Sequence, residues 1–518
     1  MKGLTLTMAY YPIKCPYCLR EHTNESVLWN LGRHQDAGYA APTDTPKPAE
    51  DFGGSNTSDD WDFDDTPQQR ANSNTPAGGA NEPTEGYFTI PQLNGIFGEA
   101  NVELKGKSVD AAAALTRVEE FPGDLCEYIL ITRADGSRWR MHDRYCNCDP
   151  NIRKQLHALS GAVPSYTALL MGSSNSGKTV YLTSLYRSLN KNFPLPPFAE
   201  DNAIATVRLQ VSSKGDADTS IDTMSENLFY DGILPPTTIS MTNEPLTLTV
   251  TVAFKRTGVQ TQTLLYLRDL PGEALTNPDK SPDIDIQKIA SQFPNFDGFL
   301  MVLDPLTFEE SVFPTTSDAR EQRRQNNRLN QVIADQVAPR MPRGVIDKPT
   351  AVLITKGDYF FHPNYSGELR AKGVAPQRHL LPRLDESFDK PYFDMLSTGA
   401  RELLQILSAD IYGMVEIYFP HAFFTLVSAL NQNPISITTD EEGRRRVADI
   451  NILKPWRVAE PALQLLIKLN VVPPFDRMEL RGAPNERPEQ TNARTARSLD
   501  ALNKWGEQYC TAWKPYVR

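Results

Sequence analysis

Beyond about Pro150 the chain alternates short, nearly uninterrupted apolar runs with longer stretches whose apolar positions recur at helical spacing. A run with no polar side suits a strand covered on both faces, and the stretches of helical period supply the covers. The alternation predicts an α/β domain with a mostly parallel sheet between two helix layers. Candidate strands are Tyr166–Met171, Ala205–Val211, Leu246–Phe254, Thr263–Leu267, Gly298–Leu303, Thr350–Thr355 and Phe423–Val427. Candidate helices are Thr179–Asn190, Ile284–Gln292, Asp318–Gln336, Tyr392–Ile411 and Pro461–Leu469.

Upstream the pattern changes. Tyr128-Ile129-Leu130-Ile131-Thr132 and Arg138-Trp139-Arg140-Met141 flank the turn sequence Ala134-Asp135-Gly136-Ser137, which predicts a small β-rich insert between Tyr87 and Tyr145. Asp36 to Gly86 is rich in Pro, Gly, Ser, Thr, Asn and Asp, the composition of a disordered acidic linker. Within it Ser58-Asp59-Asp60-Trp61-Asp62-Phe63-Asp64-Asp65 reads either as a docking peptide or as a solvated acidic tract. The expected division is residues 1–35 with 87–150 as one split module, 36–86 as linker, 160–475 as the α/β domain and 476–518 as a polar tail. In that tail Asn492–Trp513 reads as one amphipathic helix that packs back or meets a partner.

A chain of 518 residues can bury more than one core without disulfide support. The net charge of -11 opposes a general nucleic-acid or anionic-membrane surface, so neither is expected as a partner. No apolar run approaches the ~20 residues of a membrane span, and no signal-like start is evident, so a cytoplasmic location is expected. Four of the six cysteines fall into two pairs, Cys15-x-x-Cys18 and Cys146-x-Cys148. In a reducing compartment such spacing suits four thiolates around one structural Zn²⁺. The long segment between the pairs costs little, because loop-closure entropy grows only with the logarithm of length. His22 and His142 are reserve ligands, and Cys126 and Cys510 have no partner in the sequence pattern.

Chemistry is concentrated in four motifs of the α/β region. Gly172-Ser173-Ser174-Asn175-Ser176-Gly177-Lys178-Thr179 lies between a strand and a helix, where backbone N–H groups and a helix N-terminus can cradle a β-phosphate. Lys178 then reaches β and γ oxygens, the Thr179 hydroxyl ligates Mg²⁺, and Val180 continues the first helical turn. Asp269-Leu270-Pro271-Gly272 follows an apolar strand, placing the Asp269 carboxylate near the metal and the Gly272 N–H near a γ-phosphate. Thr355-Lys356-Gly357-Asp358 also ends a strand; Asp358 can accept hydrogen bonds from N1 and the 2-amino group of guanine while the Lys356 stem covers the ring. Thr355 stands where the familiar form has Asn, which leaves that residue's orienting hydrogen bonds open. Ser428-Ala429-Leu430 fits a loop whose backbone meets guanine O6. Either threonine of Pro235-Pro236-Thr237-Thr238 can complete the magnesium shell, with Thr238 preferred.

In this order the motifs resemble those of TRAFAC-class, Ras-like P-loop GTPases over about Ser165 to Pro474. The cysteine pair ahead of the phosphate loop, with Leu234-Pro235-Pro236-Thr237-Thr238, is similar to bacterial double-GTPase proteins of GTPase-associated systems. The resemblance implies a three-layer α/β/α GTPase fold, GTP and GDP as ligands, Mg²⁺, and slow hydrolysis to GDP and phosphate. It implies regulatory or effector proteins as partners, with any second GTPase on a separate chain. Lys178, Thr238 and Glu273 are the catalytic candidates, Glu273 occupying the place of a water-orienting Gln. Arg268 and the helix residues Arg320, Arg323, Arg324 and Arg328 are candidates for a charge-neutralising arginine or for plain surface contacts. The rivals are an ATP-dependent P-loop enzyme and a scaffold that binds nucleotide without turnover.

Overall fold

The computed structural model describes residues 12–33, 35–36, 83, 85–105, 128–133, 136–148, 153–157, 159–161, 163–173, 176–189, 192–194, 205–212, 221–236, 245–254, 260–270, 286–308, 311, 313, 319–374, 390–430, 437–473 and 504. The expectations for the linker within 37–82, for Ser174, Asn175, Thr237, Thr238, Gly272, Glu273, Cys126 and Cys510, and for all of the tail except Lys504, lie outside these residues.

Contacts divide the chain into two units, Met1–Thr23 with Lys107–Cys126 and Leu159–Arg518, and Asn24–Gly106 with Glu127–Ala158. In the larger unit the chain starts with a short antiparallel pair, β1 (Ile13–Lys14) and β2 (Glu21–His22). The smaller unit holds β3 (Leu28–Asn30), β4 (Gln35–Asp36), β5 (Tyr87–Phe88), β6 (Val102–Lys105), β7 (Tyr128–Thr132), β8 (Arg138–Met141) and β9 (Arg144–Tyr145). They form two sheets, ordered β5-β3-β9 and β4-β8-β7-β6. Burial alternates along β7 and β8 because successive side chains point to opposite faces. Helix α1 (Ile90–Phe97) starts at a capping box in which Gln92 Oε1 accepts from the Thr89 N–H, and it sets Phe97 edge-on to Trp139.

The larger unit is built on an eight-stranded, mostly parallel sheet. Its strands are β10 (Ser165–Met171), β11 (Asn192–Pro194), β12 (Ala205–Ser212), β13 (Leu246–Phe254), β14 (Gln260–Asp269), β15 (Gly298–Leu303), β16 (Thr350–Ile354) and β17 (Ala422–Leu426). The order is β11-β12-β13-β14-β10-β15-β16-β17, and the run from β14 to β17 is parallel throughout. The apolar runs are apolar because both faces are covered. Ala168 and Leu170 of β10 join one core with Leu185 and Leu465, while Leu169 and Met171 join the other with Phe293, Leu404 and Val415. Helices α2 (Lys178–Leu189) and α9 (Glu460–Lys468) build the first core. The second is lined by α4 (Ile286–Gln292), α5 (Ala319–Val332), α6 (Pro363–Ala371), α7 (Lys390–Leu407) and α8 (Ala409–Tyr418).

Several elements differ from the sequence expectation. The single helix expected over Tyr392–Ile411 is two, because Ser408 leaves helical geometry at φ -155° and ψ 82° before α8 begins. Helix α5 continues as a π-helical stretch, Ile333–Val337. Helix α3 (Ile221–Tyr230) and the pair β18 (Ile437–Thr439) and β19 (Arg445–Val447) were not foreseen. Every residue of β18 is exposed and the strand is three residues long, too short for an alternating apolar pattern to show in the sequence. No helix among the described residues is long and apolar enough to cross a membrane.

Candidate nucleotide site

Five neighbouring parallel strands run out toward the same edge of the sheet. Leu170 of β10 pairs with Asp269, Met171 with Met301, Leu303 with Ile354, and Ile354 with Leu426. The residues that follow them are Gly172 after β10, Leu270 after β14, Asp304 after β15, Thr355 after β16 and Val427 after β17. Ligands of open α/β sheets sit outside the carboxyl ends of the strands, where the connections diverge. Here the chain reaches β14 and β15 on opposite sides of β10, which makes the end of β10 such a point.

The loop after β10 is shaped by two glycines. A Cβ on Gly172 would lie 2.4 Å from the Val302 carbonyl oxygen on the neighbouring strand, and Gly177 has φ +93°, a left-handed value that favours glycine. Only residues without a side chain let the backbone turn this closely, which is the cradle a phosphate chain requires. Lys178 opens α2 at 5% exposure and folds over the loop, its Nζ donating to the carbonyls of Gly172 at 3.1 Å and Ser173 at 2.9 Å. Ser176 is buried beside it, and Thr179 and Val180 form the first helical turn.

The base-loop residues meet this loop directly. Thr355 Oγ1 lies 3.0 Å from the Ser176 carbonyl and 2.9 Å from the Leu303 carbonyl, so its one proton ties the loop after β16 to the phosphate loop or to β15. The Thr355 hydroxyl thus holds the start of the loop after β16 against its neighbours. Lys356 has φ +51°, and its Nζ donates to Asp304 Oδ2 at 2.5 Å. Asp358 is 7% exposed and accepts from Ser428 Oγ at 2.9 Å. Burial pushes its carboxyl up to about 6, against the opposing effects of the Ser428 bond and the Lys356 charge. Ser428 is fixed by paired backbone bonds with Trp456, Ala429 accepts from Ser184 Oγ at 2.5 Å, and Leu430 accepts from the Lys454 N–H at 2.8 Å.

Asp304 was missed by sequence reasoning. It is 1% exposed, anchors Lys356, and accepts from the Leu306 N–H at 3.0 Å through its other oxygen. A carboxylate placed directly after an all-buried strand was the available signal, since such strand ends carry the site. Trp456 was missed too, and nothing local marks it, because its pairing with Ser428 joins distant segments.

Asp269 closes β14, one strand from the phosphate loop. With the Thr179 hydroxyl it offers the hard oxygen donors that Mg²⁺ takes. Of the arginine candidates, Arg268 is partly buried and donates from Nη1 to the Tyr17 carbonyl at 3.0 Å. Arg323 Nε donates to the Thr307 carbonyl at 3.2 Å, while Arg324 and Arg328 are exposed on α5. The side chain of Arg320 lies outside the described residues.

Cys15 and Cys18 sit in the β1–β2 turn of the larger unit, with Cys18 Sγ 3.3 Å from His22 Nε2. The hydrogen bond from Cys15 holds the Cys18 thiol down at about 4, and the same bond together with burial drives Cys15 far up. In the smaller unit the sulfurs of Cys146 and Cys148 are joined as a disulfide, where the sequence reading expects two thiolates. Each cysteine pair offers sulfur donors of the kind a metal ion takes, and Cys146 and Cys148 serve that purpose only when reduced.

No protein-family model and no curated protein matches the chain. Among solved structures it is similar to the Ski7 GTPase-like domain of S. cerevisiae bound to GDP and inorganic phosphate, at 14% identity and TM-score 0.22 over 52% of this chain and 43% of that one. The same domain bound to GTP matches at 12% identity and TM-score 0.25, over 60% and 51%. The chain spans about half the length of those it matches. Likeness this slight leaves the reading of the site to its own geometry.

Proposed function

We propose that this protein is a Mg²⁺-dependent GTP-binding switch that hydrolyses GTP slowly to GDP and phosphate and acts through regulatory or effector proteins, any second GTPase among them being a separate chain. The observation that carries the reading is the bond from Thr355 Oγ1 toward the Ser176 carbonyl, which joins the glycine-bounded loop after β10 to the acid-bearing loop after β16, across the end of the intervening β15. Lys178 would contact the β and γ oxygens, and the backbone of 172–177 would cradle them. Asp358 and Ser428 would take the guanine edge, with the Lys356 stem over the ring. Thr179, Asp269 and Thr238 would hold Mg²⁺, whose charge neutralises the phosphates when bound. Gly272 and Glu273 would meet the γ-phosphate and the attacking water, with the following loop released on hydrolysis.

Calorimetry on the full chain tests base choice. GTP is expected to bind at least about 10²-fold more tightly than ATP, and Asp358→Asn to remove most of that preference, because a mismatched polar edge leaves buried groups unpaired. Equal affinities, or a preference untouched by Asp358→Asn, select the ATP-dependent enzyme. Phosphate release above that of Lys178→Ala is expected with Mg²⁺, and rates equal to that variant select the non-hydrolysing scaffold.

A further inference from the structure

Arg268 precedes Asp269 at the end of β14, and its Nη1 reaches back to the Tyr17 carbonyl at 3.0 Å. Tyr17 lies between Cys15 and Cys18. Their turn is closed tightly, with the Cys15 N–H donating to the Arg20 carbonyl at 3.0 Å and the Leu19 N–H to the Cys15 carbonyl at 2.9 Å. Leu19 has φ +60°, a left-handed value unfavourable for a branched side chain, so something outside the turn must hold it there. What holds it is burial: Leu19 belongs to the same apolar cluster as Met171 and Leu270, the residues just before Gly172 and just after Asp269. The turn is pinned a second time by Lys14 Nζ, 2.5 Å from Asp297 Oδ2, an oxygen that also accepts from the Thr167 N–H of β10 at 2.7 Å. The cysteine turn is thereby fastened to both strands that deliver the phosphate and magnesium residues.

We propose that Arg268 is a positioning residue for Asp269, and that the Cys15–Cys18 turn acts on the nucleotide site through it. The reading rests on the Mg²⁺–nucleotide site proposed above and deepens it. With the guanidinium anchored on Tyr17, the end of β14 is held and the Asp269 carboxylate keeps one direction. Without the anchor, the strand end loosens and Mg²⁺ is held less well, while the phosphate and base loops keep their own bonds. Arg268 is then the link by which a change at the sulfur pair reaches the switch, rather than a group that touches the γ-phosphate.

The test is Mg²⁺ titration of GTP binding by the full chain, beside GTP binding in EDTA. Arg268→Gln is expected to raise the half-saturating Mg²⁺ concentration about 10- to 100-fold, the range seen when a group that orients a metal ligand is lost. GTP affinity in EDTA should be unchanged. Arg268→Lys, which can still reach a carbonyl, should recover part of the shift. Cys18→Ser should raise the Mg²⁺ requirement in the wild type and add nothing in the Arg268→Gln background, because both act along one route. Where Arg268→Gln does not fold, Arg268→Lys and Cys18→Ser carry the comparison. An unchanged Mg²⁺ requirement, or equal Cys18→Ser shifts in both backgrounds, overturns the proposal. So does loss of phosphate release at unaltered Mg²⁺ affinity, the behaviour of an arginine acting on the γ-phosphate. Wild-type protein that binds no GTP under either condition removes the parent reading as well.

Discussion

Asp358 shows what one residue contributes beyond its identity. Sequence offers its side chain as a candidate guanine acceptor, but does not reveal its environment. Burial raises the carboxyl from 3.8 to about 6, so across that window the free protein favours the protonated form and loses stability as pH rises. Guanine needs the ionised form, which has acceptors to offer both N1–H and the 2-amino group. GTP affinity should therefore be full above pH 6 and fall about tenfold per pH unit below it. Calorimetry between pH 5 and 8 checks this, with Asp358→Asn expected to flatten the profile. A wild-type profile flat to pH 5 means that Asp358 does not hold the base. Asp304 illustrates the reverse case: its position after a buried strand hints at a role, and its contacts with Lys356 and the Leu306 N–H show what the side chain holds.

At the scale of elements, strands were the most legible part of the chain. Leu246–Phe254 and Gly298–Leu303 match their expected bounds, because residues buried on both faces leave a continuous apolar run. Helices were less so. The break at Ser408 falls inside a continuous helical period, and exposed β18 has no period at all. The loop after β10 was legible through its glycines, and it makes a sharp prediction. Gly172→Ala would place a methyl carbon 2.4 Å from the Val302 carbonyl, far inside contact distance, so strand and loop must separate. The expected cost is about 1–3 kcal/mol of stability, read as a lower thermal midpoint, together with loss of nucleotide binding. A variant that keeps both means that the loop does not follow this path.

For the whole molecule, the sulfur chemistry depends on redox state. The pairs Cys15/Cys18 and Cys146/Cys148 are far apart in sequence and belong to different compact units, so no local pattern joins them. The disulfide between Cys146 and Cys148 makes the zinc reading conditional on reduction. Protein prepared under thiol reductant should carry about one Zn²⁺ per chain by elemental analysis, and oxidised protein should carry none. Metal-free reduced protein removes the zinc assignment. Sequence alone determined the order of the motifs, the alternation of buried strands with helices, and therefore the kind of sheet, because burial and backbone geometry act on residues close along the chain. Tertiary structure decided what meets what: Thr355 with Ser176, Lys356 with Asp304, Ser428 with Asp358, Arg268 with Tyr17. Each of these bonds joins segments whose separation in sequence is set by folding and not by period, so no window on the chain could contain both partners.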